Sequence, residues 1–80
     1  MDKSAIIARL QQNKANTPQL SAFSDDNHEA IDAMIETVEQ GYTEDDIYRK
    51  FNSSYEQDAA LSILEVMNGS IPIEDALFPE

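Results

Sequence analysis

Sixteen carboxylates, one imidazole and no thiol are the chemically active side chains of this chain, and their spacing limits what they can do. Asp25, Glu29, Asp32, Glu36 and Glu39 recur at intervals of four, three, four and three residues. On a helix turning 100° per residue they fall within a stripe about 80° wide and roughly 21 Å long. That is about one charge per 4–5 Å of axis, against one phosphate per roughly 3.4 Å along a DNA strand. Glu44, Asp45 and Asp46 follow directly and prolong the row. Such a row suits a basic protein surface, which it would meet as an imitation of a nucleic-acid backbone.

Carboxylates also bind calcium or magnesium, but neither Asp25-Asp26 nor Glu44-Asp45-Asp46 has the alternating spacing and closing glutamate of a calcium loop. Acids in a first helical turn are already accounted for by the helix dipole. No metal is expected. Catalysis fares no better. His28 is the single histidine, and its place in the first turn of a helix reads as a solvated surface position. Ser53 and Ser54 read as helix caps and lack the setting of an activated nucleophile. Two isolated glycines cannot build a phosphate-binding loop. The expectation is a non-enzyme with no cofactor.

An acidic face is most often simply solvated. Two features set this one apart. The helix carrying it contains no basic residue, so no pair four residues apart relieves its repulsion. Glu36 and Glu39 also stand near its C-terminal end, where the dipole disfavours negative charge. A local rule broken without visible compensation is a place to look for function.

The elements that would hold these residues are helices. Ile6, Ile7 and Leu10 share one arc over Ser4 to about Gln12, with Asp2 or Ser4 as cap. Residues 13–17 read as a polar break. Thr17 before Pro18 then predicts a short helical turn capped by Thr17 and anchored by Leu20 and Phe23. Asp26 with Glu29 marks the next start, and Ile31, Met34, Ile35 and Val38 give that helix one apolar face, ended by Gly41. Thr43 caps a third helix, Tyr42 staples onto Ile47, and Ile47, Tyr48 and Phe51 form its buried side. Asp45–Arg49 and Asp46–Lys50 are its expected ion pairs.

Ser53 with Glu56, or Ser54 with Gln57, opens a fourth helix from about Tyr55 to Asn68. Its apolar arc is wide: Ala60, Ile63, Leu64 and Met67, flanked by Leu61 and Val66. That width predicts the central helix, or half of a dimer interface. After Gly69, Ile73, Leu77 and Phe78 close a last turn. Helices three and four have the proportions of a helix-turn-helix, yet the second carries no arginine or lysine, so direct nucleic-acid binding is not expected.

The whole is predicted to be all-α, a small compact helical bundle of three main helices plus one or two short segments. It forms a single domain over 1–80, in which 1–24 is a loosely held helix and loop and 25–80 the helical core. Twenty-three large apolar residues suffice for one thin core, which leaves room for a homodimer or partner to add stability. No apolar run approaches a membrane span, and the lack of cysteine suits a reducing compartment, so a cytoplasmic protein is expected. The net charge of −11 divides into +2 over residues 1–24 and −13 over 25–80. Nucleic acid and anionic membrane are disfavoured as partners, and a protein with a basic surface is favoured.

Two functional readings follow. In the first, the stripe Asp25, Glu29, Asp32, Glu36, Glu39, Glu44, Asp45, Asp46 makes the chain a nucleic-acid-mimicking inhibitor that blocks a basic groove. Small acidic inhibitors of restriction or CRISPR nucleases share this composition, though no motif. In the second, the chain is a helical adaptor or regulatory subunit, or an antitoxin- or immunity-type partner. It would bind through an apolar face at Leu61 and Val66, or through the Ile6, Ile7, Leu10 helix.

Overall fold

The computed structural model describes residues 1–19 and 26–80, and in these the chain is all-α. Helix α1 spans Lys3–Asn16, α2 Asn27–Gln40, α3 Glu44–Lys50 and α4 Ser54–Met67, followed by a single 3-10 turn, Ile73–Asp75. The three long helices are therefore α1, α2 and α4, and the well-signalled α3 is the short one. The expected anchors Leu20 and Phe23, and the stripe residue Asp25, lie outside the described residues.

Each start is made by the side chain the local pattern names. Asp2 Oδ1 accepts from Ala5 N–H at 2.8 Å and Asp26 Oδ1 from His28 N–H at 2.8 Å. Thr43 and Asp46 form a full capping box, at 3.3 and 3.0 Å. Of the two candidate caps before α4, Ser53 is the one used: its Oγ accepts from the Glu56 N–H at 3.1 Å and donates to Glu56 Oε1 at 2.9 Å, so the cap is made without the reciprocal backbone bond of a full box. Gly41, at φ 68°, ends α2 in the left-handed region, with the Tyr42 N–H donating back to the Thr37 carbonyl.

The central helix is α2, not α4. It buries Ala30, Ile31, Ala33, Met34, Thr37 and Val38 and packs against both α1 and α4. Helix α4 fully buries only Ala60 and Ile63, and the rest of its wide arc is half-covered. The reason is steric. Small residues on α2 widen its buried arc, and Ala33 meets Ala60, Ile47 and Phe51 in one cluster. Ile31, Met34 and Val38 meet Ile6, Leu10, Ile63 and Ile73 in the other.

Helix α1 departs most from expectation. It runs on through Asn16, across the expected polar break, and Ile6 and Leu10 are core residues at 2% and 0% exposure. Asn13 is fully buried because it is satisfied: Nδ2 donates to the Phe78 carbonyl at 2.9 Å and Oδ1 accepts from the Phe78 N–H at 3.0 Å. Thr17 is the C-cap of α1, and its backbone N–H donates to the Lys14 carbonyl; the short turn expected after it lies outside the described residues. Three further expectations fail on α3. Tyr48 is 52% exposed, because α3 is short and buries only the Ile47/Phe51 side. Arg49 pairs with Asp46 rather than Asp45, since Asp46 is already held in the capping box, and Lys50 lies 6.0 Å from the Tyr42 ring centre instead of on Asp46.

Candidate functional site

Packing on both sides narrows the exposed edge of α2 to Glu29, Asp32, Glu36, Glu39 and Gln40. Four carboxylates thus occupy nearly the whole solvent edge of the central helix. Its rigid backbone sets them over about 15 Å. Glu44 and Asp45 stand exposed beyond its end. Asp46 does not belong to this row. It is half-buried, and its carboxylate is pulled well below the usual aspartate range, first by the Thr43 backbone N–H and then by Arg49.

The strip is not wholly unrelieved, because tertiary structure brings in what the helix itself lacks. Lys14 of α1 donates to Asp32 Oδ1 at 2.8 Å, and the Tyr42 hydroxyl donates to Glu36 Oε2 at 2.8 Å. That bond to Glu36 raises the Tyr42 phenol above its ordinary value. Helices α1 and α2 run antiparallel, so the Lys3 ammonium comes beside Gly41, 3.8 Å from where a Cβ would stand there. The negative end of α2 therefore faces a cation from α1, which offsets the unfavourable placing of Glu36 and Glu39.

A residue missed in the sequence joins the strip from α4. Glu29, Asp32, Glu36 and Glu56 line a depression of about 260 Å³ over Ala33 and Phe51. The capping pair with Ser53 was legible, but nothing in the sequence places Glu56 opposite α2. No group of three or more acid or histidine side chains among the described residues is arranged to hold a metal ion. His28 is half-buried rather than solvated, with Nε2 2.7 Å from the Thr17 carbonyl, where it ties α2 to the end of α1.

No protein-family model, curated protein or solved structure matches this chain. Its functional reading therefore stands on its own surface.

The apolar candidates separate into two groups. Ile6 and Leu10 are consumed in the core, and Ile7 is half-buried against it, so α1 offers no free apolar face there. Leu61 and Val66 are half-covered on α4. Leu61 and Leu64 form the apolar part of a cleft of about 460 Å³, lined also by Glu44, Glu65, Asn68 and Ser70. Among the described residues no helix is long and apolar enough to cross a membrane.

Proposed function

We propose that this chain is a non-enzymatic, acidic protein-binding module whose α2 edge occupies a basic groove of a DNA- or RNA-binding protein, standing in for the nucleic-acid backbone. The observation that carries this reading is the composition of that edge: Glu29, Asp32, Glu36 and Glu39 fill it, with only Gln40 besides. A rigid helix holding carboxylates at about one per 5 Å loses little entropy when a basic groove closes on it. The five bases of the chain leave most of its sixteen acids without a cation. The field outside the molecule is accordingly negative, which favours fast encounter with a positive surface.

The test is capture of partners from the native host at low and high salt, using the wild-type chain and a Glu36→Lys, Glu39→Lys variant. Partners should be lost with rising salt and with charge reversal. Partners that persist unchanged at about 0.5 M salt, far beyond the screening of exposed charges, would sink the proposal. The competing reading, an adaptor that binds through an apolar face, is favoured by the Leu61/Leu64 cleft, and predicts that Leu61→Asp matters more than Glu36→Lys.

A further inference from the structure

The cleft between α3 and α4 combines an apolar floor with an acidic rim. Its apolar part is Leu61 and Leu64 on successive turns of α4, and its volume is about 460 Å³. Its rims are Glu44, at the start of α3, and Glu65, near the end of α4, both exposed and neither ion-paired among the described residues. Asn68 and Ser70 close one end with polar groups. Tyr48 stands one helical turn beyond Glu44 on the same flank of α3, and at 52% exposed it is the most exposed aromatic among the described residues. Exposed aromatic side chains are what protein interfaces are enriched in.

We infer that this cleft docks an amphipathic helix of a partner protein, apolar along one face and flanked by lysine or arginine. Charge complementarity selects that occupant. An apolar stripe spaced i, i+3, i+4 fits against Leu61 and Leu64, and its flanking cations come over Glu44 and Glu65. A second copy of this chain is the wrong occupant: it carries −11 itself, and its one basic helix, α1, spends its apolar face on the core. The inference deepens the proposed function, and rests on the reading that the partner is basic. It adds a second contact, at the α3–α4 cleft, to the one that the α2 edge makes in the basic groove.

The probe is a synthetic helical peptide about 16 residues long, with leucines at i, i+3, i+4 and i+7 and lysines flanking them. Its control has every leucine replaced by serine at the same charge. Binding is followed by fluorescence anisotropy and by backbone amide NMR of the full chain. The leucine peptide should shift the amides of Glu44, Tyr48, Leu61, Leu64, Glu65 and Asn68, and the serine peptide should not. A Glu44→Lys, Glu65→Lys variant should bind about tenfold more weakly, chiefly through slower association, while Glu74→Lys, Asp75→Lys, with the same change in net charge, stays within about twofold. Circular dichroism confirms that each variant is folded. Equal shifts from both peptides along Glu29–Glu39 would overturn the docking site while leaving the acidic-edge proposal standing. Shifts of the cleft amides on dilution of the chain alone would give the cleft to a second copy and overturn it too. Binding by neither peptide would also reject it.

Discussion

Asn13 shows how much one buried amide can organise. Its two bonds to the Phe78 backbone fix the tail against α1, and Nδ2 also reaches Glu80 Oε2 at 2.9 Å. Arg9 donates to the same oxygen at 2.8 Å. These donors, Asn13 first and Arg9 next, hold the Glu80 carboxyl below the usual glutamate range. Truncation of Asn13 leaves backbone groups without partners, so Asn13→Ala should cost about 2 kcal/mol by urea unfolding. Asn16→Ala, which removes only an exposed 3.3 Å bond to Glu80, should cost under about 0.5 kcal/mol. Thr17 presents the opposite case. Its hydroxyl is buried without a hydrogen-bond partner among the described residues, so Thr17→Val, which keeps the branched shape, should stabilise the fold by about 1 kcal/mol, seen as a higher urea midpoint.

At the scale of elements, α2 is the keystone because both neighbours pack on it. Ile31 is fully buried in the cluster that joins α1, α2 and α4. Ile31→Ala should therefore cost about 3–4 kcal/mol, and chemical denaturation should show a single transition at much lower denaturant. The helix ends depend on backbone conformation instead. Gly41 sits at φ 68°, where any L side chain is strained, so Gly41→Ala should cost about 1–2 kcal/mol even though its Cβ would meet nothing closer than Lys3 at 3.8 Å. A loss well below that range, measured by the same unfolding assay, would show that the α2–α3 joint can relax. These starts and stops were legible residue by residue, because a cap acts within three or four positions of itself. The extension of α1 through Asn13 was not legible, since its compensation comes from Phe78, 65 residues away.

For the molecule as a whole, the pH response follows from the three depressed carboxylates among the described residues. Asp26 is lowered chiefly by the Gln19 amide, Asp46 by the Thr43 backbone and Arg49, and Glu80 by Asn13 and Arg9. A folded-state value below the unfolded one gives stability that is complete above the ordinary values of 3.8 and 4.5, and is lost as pH falls through them to the lower folded values. Tyr42 acts in the other direction: its raised value gives stability that is present below the ordinary 10.0 and lost as pH climbs through the folded value. The urea midpoint should therefore fall below about pH 4, and Glu80→Gln should flatten that acid limb. Salt bears on the same whole-molecule charge. With −11 on one small domain, screening of self-repulsion should raise the midpoint between low salt and about 0.5 M; a lower midpoint would show that the three ion pairs outweigh the repulsion.

The sequence by itself determined the helical class, the capped starts of α1 to α4, the left-handed end of α2 and the acid periodicity along it. Each of these depends on residues within one or two helical turns, where side chain and backbone are tied by covalent distance. Tertiary structure alone decided that α2 is central, that α1 belongs to the core, and that the acidic row loses Asp46, gains Glu56 and borrows Lys14 and Lys3. It also decided that Tyr48 faces water and that Leu61 and Leu64 lie between two glutamates without ion pairs among the described residues. These depend on which faces meet across long separations. That choice is made by close packing of small against large side chains, and periodicity within a single helix does not contain it.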